Sequence, residues 1–306
     1  MSVMSASGRD APLAKAAEWL ACTAPLLLLP LVATILSCGP ADPAAETPTG
    51  LTESTLTSRC QATASSVICS QHELSLTALF VPRKVTFEVP LGTAPAAGWP
   101  VAIFYQGSFI AGSQMFTADR GDAFGKYQAT LTIKALLDAG YAVLAPDALL
   151  GGATFWQTNI PPWSLLWTTS SDHAFLVAIL QAIRGGRFGA LNPDRLYALG
   201  ISSGGFMTSR MAVSYPGLFR ALAVHSASYA TCSAVCVVPG LPADHPPTLF
   251  LHGLLDPIVP LPTMESYRNA LQRDGHEVET VINKTASHQW LPEGAQAVRD
   301  WFDRHP

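Results

Sequence analysis

Charge is scarce in this chain. Asp, Glu, Lys and Arg make up only 13% of its 306 residues, against about 25% in ordinary soluble domains. The 18 Lys and Arg form no cluster, and the net charge is −4, so the electrostatic footprint of a nucleic-acid binder is missing. Heptad runs and G-x-y periods are absent too, which excludes coiled coil and collagen. No repeat or internal linker follows residue 70, and no His/Cys cluster accompanies the C-x3-C pair at Cys232 and Cys236, so a zinc site is not expected. What the chain has in quantity is apolar surface. Hydrophobic residues reach 49% and mean hydropathy is +0.26. Disorder is therefore excluded, and a membrane segment, an apolar binding surface or both must account for the excess.

The N-terminus holds part of it. Arg9 and Lys15 precede the apolar run Leu20–Leu36, which Pro25 and Pro30 interrupt. The run is marginal as a membrane span, and its flanks read as a signal peptide over 1–37. It ends in Ile35-Leu36-Ser37-Cys38-Gly39, which resembles the lipobox of bacterial lipoproteins. That resemblance implies lipidation at Cys38 and membrane association through the anchor, on the outer membrane or cell surface; an ordinary signal peptide would leave the protein secreted or periplasmic. Residues 38–70 read as a tether and extension, and 71–306 as the catalytic domain. Cys22 lies within the signal. The four remaining cysteines, Cys60, Cys69, Cys232 and Cys236, suit two disulfides in an exported chain. Three connectivities are open, and the local pairs Cys60–Cys69 and Cys232–Cys236 are the simplest.

From about residue 75, apolar strand-like segments alternate with helical ones. Strands are expected at 85–89, 101–105, 141–145, 195–199, 221–225, 248–252 and 277–282. Helices are expected at 126–139, 171–184, 204–215, 262–274 and 293–304. Apolar strands separated by helices imply an α/β fold with a mainly parallel sheet covered on both faces. Chemistry in such folds sits in the loops at the strand ends.

One of those loops carries a nucleophile. Gly200-Ile201-Ser202-Ser203-Gly204 is a G-x-S-x-G elbow between a strand and a helix. The tight turn leaves Ser202 at its tip, and the N–H of Ser203 at the helix start is placed for a developing oxyanion. Asp256, just beyond the strand 248–252, is the candidate acid. His288, in the loop before the last helix, is the candidate base. A second oxyanion donor is expected from Tyr105-Gln106-Gly107-Ser108, at Gln106 or Ser108. His252 ends an apolar strand and reads as a packed core residue, while His225 is a neighbour of the elbow. The segment from Phe155-Trp156 to Trp163 and Trp167 is aromatic and stiffened by proline. It either walls the substrate pocket or seals the core beneath a long crossover. Trp290 is a further candidate for the wall.

These motifs make the chain look like an α/β-hydrolase. The blocks Gly200–Pro216, Phe219–Cys232 and Leu251–Asp256 resemble the extracellular medium-chain-length polyhydroxyalkanoate depolymerases, and the likeness runs over roughly 75–305. It implies hydrolysis of an apolar ester or polyester through an acyl-enzyme, without a cofactor or metal. The lipobox departs from that pattern, because those enzymes are generally released. Two other readings are a feruloyl or acetylxylan esterase and a non-catalytic binding lipoprotein that keeps the hydrolase fold. Oligomeric state does not follow from the residues.

Overall fold

The computed structural model of the chain describes residues 58–232 and 236–306. The expected leader at 1–37, the lipidation candidate Cys38 and most of the expected tether lie outside the described residues. Among the described residues no helix is long and apolar enough to cross a membrane.

The strands, in chain order, are β1 (Cys60–Ala62), β2 (Ser66–Cys69), β3 (His72–Ala78), β4 (Val81–Glu88), β5 (Trp99–Tyr105), β6 (Thr117–Asp119), β7 (Ala142–Pro146), β8 (Leu191–Ile201), β9 (Phe219–His225), β10 (Thr248–Gly253) and β11 (Val278–Asn283). The helices are α1 (Lys126–Asp138), α2 (Ser171–Arg184), α3 (Ser203–Ser214), α4 (Leu261–Arg273) and α5 (Gly294–Asp303). The main sheet has the order β11-β10-β9-β8-β5-β7-β4-β3. Strands from β11 to β7 are parallel, and β4 and β3 close one edge antiparallel. Helices α1, α2, α3 and α4 cross over between successive parallel strands, except from β9 to β10, whose connection has no helix among the described residues.

Continuous apolar strands serve two cores, since alternate side chains point to opposite faces. Ala102 and Phe104 of β5 pack with Ile133 and Leu136 of α1 and with Trp301 and Phe302 of α5. Val101, Ile103 and Tyr105 pack instead with Phe175 and Ile179 of α2 and Met207 and Met211 of α3. Helix α4 extends that second layer, with Met264 and Tyr267 against Phe250 of β10. The start of α2 is fixed by Ser170, whose side chain accepts the His173 N–H, a standard N-cap.

Helix α2 has the expected bounds, and each of the other expected helices and strands is present with shifted ends. The hairpins β1–β2 and β3–β4 and the short β6 were not anticipated. Strand β3 is half exposed, and the loop between β3 and β4 is Leu79-Phe80, which lacks the Asn-Gly or Gly signal of a tight hairpin. The domain boundary at 71 needs correction. Val67 and Cys69 of β2 are buried in the same core as α1, so residues 60–69 belong to the folded unit. Disulfides join Cys60 to Cys69 across β1–β2 and Cys232 to Cys236 in the connection after β9.

Candidate active site

The site lies at the C-terminal edge of the parallel strands. At the end of the central strand β8 the chain turns into α3 so tightly that no side chain fits on either side. A Cβ on Gly200 would come 2.4 Å from the Gly204 carbonyl oxygen, and one on Gly204 would come 2.1 Å from that of Tyr105. Ser202, between them, has φ 56° and ψ −123°, a conformation that residues with a side chain rarely adopt. Its own N–H donates to the His225 carbonyl at 3.0 Å, which pins the strained residue to β9.

Asp256 follows β10 and His288 follows β11. His288 Nδ1 lies 2.7 Å from Asp256 Oδ2. The other carboxylate oxygen accepts the N–H groups of Ile258 (2.9 Å) and Val259 (2.8 Å). Burial works against the charge on Asp256, but the His288 bond and these two amides outweigh it and hold the carboxyl below its ordinary range. Ser202 and His288 face one cavity of about 240 Å³, lined mainly by Ile110, Phe124, Ile201 and Ile258. A second cavity of about 320 Å³ meets Ser202 from the other side, with Phe155, Ile160, Phe206 and Val259 in its wall.

The other two nearby histidines are spoken for. His252 Nε2 lies 2.8 Å from the Val259 carbonyl and 3.5 Å from Asp256 Oδ2, so its N–H points into the loop rather than the cleft. His225 Nε2 accepts the Leu291 N–H at 3.1 Å. Burial lowers the pKa of both, that of His225 far below the ordinary value. Each is a neutral packed residue at pH 7.

The oxyanion candidates separate. Ser108 lines both cavities and Ser203 the larger one. Gln106 lines neither and is fully buried. Its side chain donates to the Gly152 carbonyl (3.0 Å) and accepts the Ala148 N–H (3.3 Å), clamping the loop after β5 to the loop after β7. The Gln106 side chain thus serves as a clamp, which leaves its backbone N–H, the group expected to act as donor, a candidate beside that of Ser108. Ser203 sits at the first helical position, where a backbone N–H has no intrahelical partner. Its hydroxyl accepts the Trp156 N–H at 2.8 Å.

The aromatic wall also needs correction. Trp156 is 1% exposed and donates to the Gln106 carbonyl. Trp167 is buried and donates to the Tyr215 hydroxyl, and Trp290 is buried and donates to Thr132 Oγ1. Buried indoles need a partner for the N–H. Here each has one on a neighbouring element, so these rings tie loops to the core. Trp163 is half-buried and lines neither cleft cavity. Phe155 alone of the five reaches the larger cavity. Phe124 and Ile258 went unrecognised in the sequence. Phe124 meets the His288 ring edge-on at 6.3 Å, and no periodicity signals a side chain that lies in an irregular connection.

Comparison with known proteins bears on this geometry. A poly(3-hydroxyoctanoate) depolymerase of Pseudomonas fluorescens is 50% identical over 226 residues, which cover 73% of this chain and 80% of that protein. The chain belongs to this depolymerase family. It is a serine ester hydrolase of the α/β-hydrolase fold. Residues 227–305 also match the prolyl oligopeptidase family, a segment that includes Asp256 and His288. Among solved structures, the acylaminoacyl peptidase of Pyrococcus horikoshii superposes with a TM-score of 0.53 at 16% identity, over 77% of this chain and 41% of that one. A truncated carbohydrate esterase from gut microbiota gives 0.53 at 14% identity, over 72% and 90%. At such identities these two speak for the fold alone.

Proposed function

We propose that this depolymerase family member is an exported enzyme that hydrolyses medium-chain polyhydroxyalkanoate, as polymer or oligomer, through Ser202, Asp256 and His288. The observation that carries the reading is the 2.7 Å bond from His288 Nδ1 to Asp256, with His288 and Ser202 facing one apolar cavity. Ser202 Oγ attacks the ester carbonyl while His288 Nε2 takes its proton, and the charge on the carbonyl oxygen is met by the N–H groups of Ser203 and Ser108. Asp256 keeps the Nδ1 proton in place and stabilises the imidazolium. His288 then gives the proton to the leaving alcohol, and water cleaves the acyl-enzyme by the reverse route. The 50% identical depolymerase supports the polyester substrate. The two disulfides support export, with anchoring at Cys38 belonging to the same proposal.

The test pairs Ser202→Ala with the parent on p-nitrophenyl esters of two to twelve carbons and on a medium-chain polyester emulsion. The parent should favour medium acyl chains and clear the emulsion, and the variant should do neither. Full turnover by Ser202→Ala would sink the mechanism. Release of ferulate or acetate without clearing would sink the polyester assignment.

A further inference from the structure

Seven non-glycine residues among those described have positive φ. Ser202 is explained by the elbow, and Ser226 is buried. The other five are Leu79, Phe80, Phe109, Phe124 and Leu150, and each is an exposed large apolar side chain, from 55% to 98% exposed. Glycine or asparagine would relieve the backbone at every one of these positions and would remove apolar surface from water. The fold gains nothing from them that burial could supply, so their use lies outside the fold.

Their placement says where. Phe109, Phe124 and Ile258 line the cavity of Ser202 and His288, and Phe155 lines the other. Leu150 lies in the loop that Gln106 clamps to theirs. Leu79 and Phe80 form the two-residue loop of the β3–β4 hairpin, with Ala78 paired to Val81. Val85 pairs with Pro146, the last residue of β7. Val81 therefore stands four residues past the end of β7, or about 13 Å at 3.3 Å per residue, and about 14 Å to the side of β8 at three strand spacings. The hairpin tip thus projects from the same edge of the sheet as the elbow. Exposed apolar side chains therefore stand on this edge both around the cleft and at the hairpin tip.

We infer that this rim, tipped by Leu79 and Phe80, is an adsorption face that seats the open cleft on the surface of a water-insoluble, uncharged polyester. The inference rests on the polyester reading given above and adds the surface that binds it. Charge decides the occupant. The connections after the parallel strands contain no lysine or arginine except Arg120 and Lys284, whereas docking on an anionic bilayer relies on such residues. A face on the same edge as the cleft requires a partner that also reaches Ser202, which a solid ester does.

The decisive variant is Leu79→Asn with Phe80→Gly, the pair that a type I′ hairpin prefers. It removes the apolar tip while relieving the backbone. Adsorption is measured in a Ser202→Ala background on medium-chain polyhydroxyalkanoate latex and on vesicles of zwitterionic and of anionic lipid. The tip variant should adsorb to latex roughly tenfold less, the scale of burying one large apolar side chain. In the active background it should turn over soluble p-nitrophenyl octanoate within about twofold of the parent and melt no lower. Latex binding unchanged within twofold would overturn the inference, as would an equal loss of soluble turnover. Tip-dependent binding to vesicles but not latex would assign the face to a lipid surface instead, and a tip-dependent dimer would assign it to a second copy. A parent that adsorbs through the tip yet clears no polyester would refute the proposed function and leave the adsorption face standing.

Discussion

Replacing Asp256 by asparagine tests the relay where the structure gives the sharpest expectation. One carboxylate oxygen already accepts the Ile258 and Val259 N–H groups, so the amide NH2 cannot take that side without facing two donors. It must turn toward His288, where Oδ2 now lies 2.7 Å from Nδ1. An N–H pointing at Nδ1 forces that nitrogen to accept, which moves the imidazole proton to Nε2, the atom that must receive the Ser202 proton. The loss has two parts. Attraction between the carboxylate and the imidazolium, at roughly 4 Å and an effective dielectric near 20, is about 4 kcal/mol. Restoring the working tautomer against the new hydrogen bond adds about 1–2 kcal/mol. A sum of about 5–6 kcal/mol corresponds to a fall of roughly 10⁴ in kcat. Initial rates on p-nitrophenyl octanoate measure it, with circular dichroism as the check on folding. An Asp256→Asn enzyme within tenfold of the parent would refute the assignment of Asp256.

Three further outcomes follow from packing and charge. Gly204→Ala puts a Cβ 2.1 Å from one carbonyl oxygen and 2.3 Å from another; neither is a flexible side chain, so soluble yield and esterase activity should both collapse, and a normal melting temperature would contradict the elbow geometry. Arg83 pairs with Asp172 at 2.7 Å, both side chains essentially buried, so Arg83→Met should cost about 3–5 kcal/mol by leaving that carboxylate uncompensated, read as a Tm drop on the order of 10 °C and partly recovered when Asp172→Asn is added. His245 is held neutral by burial, its pKa pushed down to about 4, with Nε2 at 2.6 Å from the Tyr267 hydroxyl. The unfolded chain therefore takes up this proton first. Stability from this site is whole above about pH 6.5 and drains as the pH falls toward 4, by up to about 3 kcal/mol. Denaturant unfolding across that range should show a shallower fall in His245→Gln than in the parent.

The parts of the fold that were legible in the sequence are those in which burial dictates pattern. Strand β8 is apolar through Leu196–Leu199 because it is buried on both faces, and α2 begins at a serine cap and ends before two glycines. The hairpin β3–β4 escaped because its loop residues break the turn chemistry on which such a reading depends, and β1–β2 escaped because its strands are short and half exposed. The site divides the same way. Ser202, Asp256 and His288 are fixed by local motif and by position after a strand, both visible in one dimension. The role of Trp156 and the side-chain clamp of Gln106 were not decidable in one dimension, because both depend on which loop crosses which. An aromatic residue in a long loop looks the same in sequence whether it faces the cleft or, as Trp156 does, donates into the loop after β5.

Three histidines gather around one carboxylate, and only His288 among them lines the cleft. His225 accepts a main-chain N–H, so protonating that nitrogen would break the bond, and burial lowers its pKa far below the ordinary value. His252 lies 3.5 Å from Asp256 Oδ2 but 2.8 Å from the Val259 carbonyl, and the shorter bond claims its proton. The Val259 N–H in turn binds the far oxygen of Asp256, so the segment that occupies His252 also fixes the carboxylate with Oδ2 toward His288. The chain order makes this arrangement self-consistent. Asp256, Ile258 and Val259 belong to one connection after β10, so the residues that anchor the acid travel with it, and His288 arrives from the adjacent parallel strand at the same edge. A carboxylate anchored in this way loses little orientational freedom when the imidazolium forms. That freedom is what a mobile acid would have to give up at each turnover.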